Sequence, residues 1–326
     1  MTFCYLKDNT VNLTRIISIS EIMMDRLEAM SMLIKVIENE SFSSASKALN
    51  VPLPTLSRKI SELENQLGVR LLHRTTRKLS LTSSGCNYIN ACKRIIEQVE
   101  EAERSVKGEY SEPRGELVIT APVMFGRLYV LPIVSEFLSV YSSIDVQLIL
   151  SDGNINLHEN EVDMAVRIGA LPDSSMVATQ VGKIRMVTCA NQQLLATHKK
   201  LTSPNGLTDF PCISLKTTKT IPDWSYIQPD SKVIFNVKTS SRLTVTDSES
   251  AVNAAINNVG ITQQLHYQVK EAIDKGLLKI ILPEFEPSSI PVNLVHKSRK
   301  YMPQKMKSFL DFSLPRLTSK INELAS

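Results

Sequence analysis

Glycine is scarce in this chain of 326 residues, and its spacing excludes several classes of enzyme. Among the 11 glycines, the two closest in sequence are Gly108 and Gly115, seven positions apart. A GxGxxG dinucleotide turn, a Walker phosphate loop and a GxSxG nucleophile elbow need glycines two, five and four positions apart. None of these motifs is present, and we predict no catalytic residues.

Paired cysteines and a zinc-protease motif are also lacking. The five cysteines never form a CxxC pair, and their odd number argues against a disulfide framework and against a zinc finger. His158-Glu159 begins like a zincin motif, but Val162 stands where that motif needs its second histidine. We therefore expect neither a bound metal nor another cofactor.

Long apolar runs are absent as well. No 18 consecutive residues are apolar, which predicts no membrane-spanning helix and no membrane partner. Charged and polar residues interrupt positions 1–23, so this segment does not resemble a secretory signal, and we interpret it as an extension or a misassigned start. A composition of 43% hydrophobic and 21% charged residues is typical of a globular protein. We expect two or three domains and a cytoplasmic location.

Basic charge is concentrated in one short segment. Seven basic and two acidic residues lie between Phe42 and Thr82, whereas four basic and six acidic residues lie between Ser83 and Glu112. The net charge of the whole chain is only +4. A local excess of positive charge suits nucleic acid, but it also suits an ordinary solvated surface, so charge alone leaves both interpretations open.

The apolar pattern of this segment predicts a helix-turn-helix. A first helix and a short second helix, capped by Ser43 or Ser44, precede Asn50, a residue that tolerates the left-handed turn. A third helix should then end at Gly68. Its apolar stripe consists of Leu56, Ile60, Leu63 and Leu67. The opposite face is small, hydroxylated and basic, as insertion into the major groove requires.

Two short alternating runs follow this helix, at residues 71–75 and 79–82. They predict a hairpin wing whose tip, Thr76-Arg77-Lys78, carries positive charge. Such a tip would lie against DNA phosphates or in the minor groove.

A long helix is predicted from Thr82 or Ser83 to about Gly108. Its apolar positions recur at intervals of four and three residues, as in a coiled-coil seam. The seam comprises Tyr88, Cys92, Ile95, Val99, Ala102 and Val106. Because the helix leads from the basic segment into a second domain, we expect it to join two chains. An amphipathic helix packed on its own domain is the alternative.

Residues 24–83 resemble the winged helix-turn-helix of the LysR-type transcriptional regulators. The resemblance covers the whole segment and includes the motifs Leu56-Ser57-Arg58, Leu63-Glu64, Leu67-Gly68 and Leu81-Thr82. It implies that the third helix is the recognition helix. Together with the wing, the predicted DNA-binding residues are Ser43, Pro54, Thr55, Ser57, Arg58, Lys59, Arg74, Arg77 and Lys78. The chain departs from the family at Pro52-Leu53, where many members have Ser-Gln, so the usual hydroxyl cap is missing.

The remaining two thirds alternate strand-like and helical runs, which predicts an α/β fold of βαβ units with parallel sheets. The runs TAPVMFGRLYVLPIVSEFL, VDMAVRIGALPDSS and TDSESAVNAAINNVGIT resemble the effector-binding region of the same family, which is similar to a two-lobed periplasmic binding protein. We predict a winged helix-turn-helix at 24–82, a linker helix at 83–114, a two-lobed effector domain at 115–314 and a C-terminal tail at 315–326.

The resemblance implies that a small molecule binds in the cleft between the lobes. The predicted effector-binding residues are Thr120, Ala121, Pro122, Asp152, Arg167, Ile168, Gly169 and Thr246. Strand ends and helix amino-termini offer free N–H groups, which suit a carboxylate or another anion. As alternatives, Thr246 or Asp247 caps a helix, and Arg167 pairs with Asp163 or with Asp173.

Together with the resemblance, these patterns predict a transcriptional regulator that binds double-stranded DNA and, as the resemblance implies, a small-molecule effector. We expect it to associate as a dimer or tetramer and to contact RNA polymerase. A thiol-based redox regulator is the alternative, although Cys189 and Cys212 lie in apolar runs typical of core residues. A solute-binding receptor would also have two lobes, but it would have to be exported.

Overall fold

A computed structural model of the chain describes residues 26–74, 79–106, 112–153, 162–171, 176–198, 200–216, 223–297 and 302–325. The chain divides into two compact units, Met1–Ser111 and Glu112–Ser326. The elements of the first unit are helix α1 (residues 26–38), α2 (Phe42–Leu49), α3 (Leu53–Leu67), β1 (Leu72–Arg74), β2 (Leu79–Leu81) and α4 (Ser83–Val106).

The three short helices of the first unit surround one apolar core. Leu33 of α1 and Leu56 and Ile60 of α3 are completely buried there. Asn50 ends α2 with a φ of 53°, and Gly68 ends α3 with a φ of 69°, so both predicted turns are confirmed. The strands β1 and β2 pair antiparallel with Leu72 opposite Leu81, which confirms the predicted hairpin.

The predicted cap of α2 is wrong. The hydroxyl of Ser41 caps this helix by accepting the N–H of Ser44 at 3.3 Å. Ser43 and Ser44 lie in the first turn, where both side chains are exposed. At the start of α3, Pro52 supplies no side-chain cap, as its lack of a hydroxyl requires.

The second unit contains two lobes, each with a five-stranded sheet. Lobe I has the strand order β4-β3-β5-β14-β6, and lobe II has the order β11-β8-β12-β7-β13. The elements in chain order are β3 (Gly115–Ala121), α5 (Val123–Phe125), a π-helical segment (Gly126–Val130), α6 (Leu131–Val140), β4 (Ile144–Leu150), β5 (Met164–Ile168), β6 (Met176–Ile184), β7 (Met186–Ala190), α7 (Gln192–Ala196), β8 (Cys212–Leu215), β9 (Trp224–Ile227), β10 (Ile234–Val237), β11 (Ser241–Val245), α8 (Ser248–Ile256), β12 (Ile261–Leu265), α9 (His266–Asp274), β13 (Lys279–Ile281), β14 (Ile290–Lys297) and α10 (Gln304–Ala325). The two-lobed α/β prediction is confirmed.

The sheets are mixed, so the prediction of purely parallel sheets is wrong. In lobe I, β14 runs antiparallel to both of its neighbours, β5 and β6. In lobe II, β7 is antiparallel to β12 and β13. Each of these strands is the first one after the chain crosses into its lobe.

Residues Val123–Val140 form one continuous helical stretch, made of α5, the π-helical segment and α6. Among the described residues, this stretch has the length and, with a mean hydropathy of 1.5, the composition of a helix that could cross a membrane, a property that core helices of globular domains share. In this fold it is a core helix of lobe I. Phe125 and Phe137 are completely buried, and the Phe137 ring packs edge-on against Phe309 of α10 at 5.1 Å.

The predicted C-terminal tail is wrong, because α10 continues through Pro315 to Ala325. Leu317, Ile321 and Leu324 recur at helical spacing and are buried in the core of lobe I. The last residues of the chain therefore complete the hydrophobic core of the effector-domain fold.

Candidate functional site

Helix α3 separates an apolar side from a polar side. Leu56, Ile60 and Leu63 are buried in the first unit. On the other side Pro54 and Arg58 are exposed, and Thr55 and Ser57 are half-buried. The predicted recognition surface of α3 therefore lies where DNA could reach it, with small residues on the first turn and a guanidinium one turn later.

The two basic residues of this surface differ in their surroundings. Arg58 Nη1 lies 2.8 Å from Glu62 Oε1, and 63% of the Arg58 side chain is exposed. Lys59 Nζ lies 2.7 Å from Glu28 Oε2 on α1, and only 18% of its side chain is exposed. An exposed pair within one helix is weak, so Arg58 can exchange Glu62 for a phosphate or a base. Lys59 is instead held between α1 and α3.

Glu64 is a structural residue of this surface that the sequence analysis left without a role. Its buried Oε1 accepts the N–H of Leu71 at 2.8 Å and the N–H of Leu72 at 3.1 Å. The carboxylate thereby fixes the start of the wing to the end of α3. The signal in the sequence is a glutamate four residues after Ile60, on the apolar side, where a charge needs hydrogen-bonding partners.

The wing and α2 carry the other predicted DNA-binding residues. Ser43 is exposed on the first turn of α2, and Arg74 is the last residue of β1, opposite Leu79. Arg77 and Lys78 lie outside the described residues. The wing is joined to the segment before it by the Thr82 hydroxyl, which donates to the carbonyl of Arg70 at 2.8 Å.

The predicted dimer seam on α4 divides into two parts. Cys92 is completely buried, so its assignment to the seam is wrong. Tyr88 is half-buried and packs against the core of its own unit, and its place in the seam stays a prediction. The first turns of α4 are needed to cover that core. Farther along, Ile95 is 38% exposed and Val106 is 89% exposed. Ile95, Ala102 and Val106 are thus exposed to contact with another chain, and Val99 is half-buried between them.

In lobe I, Thr120 lies next to the last residue of β3 and is completely buried. Its hydroxyl has no hydrogen-bond partner within the described part of the chain. The side chain of Ala121 is buried in the lobe I core, so only its backbone can face a ligand. The backbone carbonyl of Ala121 already accepts the N–H of Ser151 at 3.0 Å.

Asp152 occupies the start of a helix, a position that in other proteins often binds an anionic ligand. Its Oδ1 accepts the N–H of Val123 at 3.0 Å, just after Pro122. The negative charge of this carboxylate disfavours a second anion at the same N–H group. Asp152 therefore caps the helix Val123–Val140.

Arg167 and Ile168 lie at the end of β5 with their side chains on opposite sides of the sheet, and Gly169 follows the strand. The half-buried guanidinium of Arg167 has a lowered pKa because burial disfavours its charged form. Ile168 packs against the lobe I core, on the opposite side of the strand, so its side chain is excluded from a ligand site on the Arg167 face. Gly169 has a φ of 116° and donates its N–H to the carbonyl of Pro291 at 2.9 Å. This conformation favours glycine.

On lobe II, Thr246 is exposed directly before α8. The cap of α8 is Asp247, whose Oδ1 accepts the N–H of Ser250 at 2.8 Å. The hydrogen bond to the backbone of Ser250 lowers the pKa of this carboxyl. Thr246 is thus free of a capping role and remains a predicted effector-binding residue.

Two ion pairs join segments of the two lobes or of the crossover between them. Arg127 Nη2 lies 3.0 Å from Glu249 Oε2 on α8. At the crossover, Arg185 makes two hydrogen bonds of 2.9 Å to the carboxylate of Glu286. Within the described ranges, no group of three His, Cys, Asp or Glu residues could hold a metal ion.

Two family models match this chain. The bacterial regulatory helix-turn-helix of the lysR family matches residues 27–86, and the LysR substrate binding domain matches residues 111–318. The chain belongs to the LysR family of bacterial transcriptional regulators. Its DNA-binding and effector-binding regions are therefore the two units described above.

Similar LysR-family proteins cover nearly the whole chain. An HTH-type transcriptional regulator of Xanthomonas campestris is 32% identical over 289 residues, which are 87% of this chain and 83% of that protein. An HTH-type transcriptional repressor of Pseudomonas aeruginosa is 30% identical, over 89% of this chain and 91% of that protein. Among solved structures, CrgA of Neisseria meningitidis is 28% identical with a TM-score of 0.57, over 89% of this chain and 98% of that one.

The buried thiols of this LysR-family chain are poorly suited to redox sensing. Cys189 and Cys212 are completely buried, and burial raises the pKa of each to about 12. A thiol needs thiolate character to react with an oxidant. The environment of both residues thus supports their interpretation as core residues.

Proposed function

We propose that this LysR-family regulator binds double-stranded DNA through the polar side of α3 and the wing, and that a small anion in the interlobe cleft changes its DNA affinity or DNA bending. The exposed guanidinium of Arg58 beside Thr55 is the observation that carries the DNA-binding part. Since the other side of α3 is sealed in the core, this is the side available to the major groove.

The effector part rests on Thr120 and Arg167. A guanidinium binds a carboxylate with two parallel hydrogen bonds, and a buried hydroxyl without a partner gains one when a ligand arrives. Because Asp152 already occupies the helix start beside Pro122, we assign the anion to Arg167 rather than to that helix. Gly169 and Thr246 are proposed to border the site.

We further propose a dimer joined through the later part of the α4 seam, at Ile95, Val99, Ala102 and Val106. A second contact between effector domains would extend it to a tetramer. RNA polymerase is a proposed partner, and the cytoplasm is the proposed location. We propose regulation rather than catalysis, since the single carboxylate among the predicted cleft residues, Asp152, serves as a helix cap.

Footprinting of the full-length chain tests this function. DNA flanking its own gene is incubated with the protein, with and without small carboxylates. We expect a protected site whose extent or affinity changes with a carboxylate, and we expect Arg167→Gln to remove that change while protection persists. Absence of protection in all conditions would contradict the DNA-binding proposal, and a carboxylate response that persists in Arg167→Gln would contradict the effector proposal.

A further inference from the structure

Asn293 is a buried polar residue of lobe I that the family resemblance did not single out. It lies on β14 and is only 7% exposed. Its backbone position is directly opposite Arg167 on the adjacent strand β5. Paired residues of neighbouring strands project from the same side of a sheet, so the side chains of Asn293 and Arg167 are neighbours.

Thr120 belongs to the same side of this sheet. It pairs with Ala165 on β5, and Ala165 precedes Arg167 by two residues, which places both on one side of the strand. The residues between them, such as Val166, project into the main lobe I core on the other side. Three adjacent strands, β3, β5 and β14, therefore present Thr120, Arg167 and Asn293 on one surface.

The side chains of Thr120 and Asn293 make no hydrogen bond to any residue in the described part of the chain. The Thr120 hydroxyl has no partner, and no hydrogen bond joins the Asn293 amide to another residue in the portion of the chain that the structure describes. A buried polar group without a partner destabilises a fold by about 1–3 kcal/mol. The Thr120 hydroxyl is such a group, and it shares one side of the sheet with the nearly buried Asn293 and the half-buried Arg167 guanidinium. A ligand that hydrogen-bonds to this side of the sheet explains the arrangement.

We propose that Asn293 is a specificity-determining residue of the effector site and that it selects small 2-hydroxycarboxylates. The Arg167 guanidinium binds the carboxylate, and the Asn293 amide binds the adjacent hydroxyl. An amide has donor and acceptor atoms, and a hydroxyl satisfies both, whereas a plain carboxylate can only accept. A 2-ammonium group in the same position would be repelled by Arg167.

This inference rests on the proposed effector function and is tested with matched pairs of small acids. Acetate and glycolate, propionate and lactate, and phenylacetate and mandelate differ within each pair only by the 2-hydroxyl. Calorimetry on the full-length chain measures both members of each pair. We expect the hydroxylated member of the pair that fits to bind about tenfold tighter or more, since a site built for a hydroxyl discriminates against its absence.

Three variants separate the parts of the proposal. Asn293→Leu should reduce the preference within the pair to less than about twofold, and Asn293→Ser, which retains a hydroxyl, should keep part of it. Arg167→Gln should weaken both members alike. Because the Asn293 amide makes no hydrogen bond to another described residue, Asn293→Leu should leave the melting temperature of the ligand-free protein unchanged, which controls for misfolding.

The outcomes distinguish a failure of the role proposed for Asn293 from a failure of the proposed anionic effector site. Equal binding of both pair members by the unchanged chain, or a hydroxyl preference that survives Asn293→Leu, would overturn the role of Asn293 and leave the anion site intact. If no acid of any pair binds, or if Arg167→Gln binds all of them normally, the anionic effector site and the inference are both refuted.

Discussion

Lys59 and Glu28 form an ion pair of 2.7 Å that joins α3 to α1 in the DNA-binding unit. The adjacent Arg58 extends from the same helix toward solvent. Two consecutive basic residues thus have separate roles, one within the fold and one at the surface offered to DNA.

The first prediction separates these roles. Arg58→Ala should weaken specific DNA binding by about 1–3 kcal/mol, because a bidentate contact to a base is lost, and should leave the melting temperature unchanged. Lys59→Met keeps the apolar stem but removes the charge, and it should lower the unfolding free energy by less than about 1 kcal/mol, since Glu28 is largely exposed. Electrophoretic mobility shift and urea unfolding measure the two effects.

Glu28→Gln is the matched control, since it removes the same ion pair from the side of α1. Combining it with Lys59→Met should cost little more than either change alone. If Lys59→Met reduces specific binding as strongly as Arg58→Ala without any loss of stability, Lys59 also contacts DNA and the division of roles is wrong.

The second prediction concerns the carboxylate that fixes the wing. Glu64→Leu leaves the N–H groups of Leu71 and Leu72 without their acceptor and should lower the unfolding free energy by about 2–4 kcal/mol. Glu64→Gln retains an oxygen acceptor and should cost less. Urea unfolding of both variants gives the comparison, and equal losses would show that charge, rather than the two hydrogen bonds, is what matters.

The DNA-binding unit was largely predictable because local rules determine it. Asn50 and Gly68 end helices through backbone conformations that few other residues adopt, and the stripe from Leu56 to Leu63 identifies the buried side of α3. The cap of α2 was missed because Ser41, Ser43 and Ser44 are chemically equivalent candidates. Only the path of the backbone selects Ser41.

The proposed effector site was less predictable because residues from distant segments of the chain form it. Thr120 and Arg167 were predicted from the resemblance, but Asn293 reaches them only through β14, the strand that returns from lobe II. Similarly, the positions Tyr88 and Cys92 fit a seam by spacing alone. Spacing cannot tell whether a helix face is covered by its own domain or by another chain.

The third prediction tests the later part of the α4 seam. Replacing Ile95 and Val99 with glutamate would place like charges from two chains in one interface, and it should shift the dimer toward monomer and weaken operator binding. Asn90→Glu, at an exposed position nearer the start of α4, is the control. Sedimentation velocity measures the mass, and an unchanged mass for the double variant would place the seam inside one chain.

The last prediction distinguishes effector sensing from thiol sensing. Burial raises the pKa of the Cys189 and Cys212 thiols to about 12, so both should carry little thiolate at pH 8 and should react slowly with iodoacetamide and peroxide. Exposed Cys86 is an internal reference that should react first, as peptide mass spectrometry can measure.

A variant with both Cys189 and Cys212 changed to Ser should keep its effector response in the DNA-binding assay, whereas Arg167→Gln should lose it. The opposite pattern, with the response lost in the cysteine variant and kept in Arg167→Gln, would favour a thiol switch. The proposed anion site contains neither sulfur, so a response that depends on the sulfurs would not come from that site.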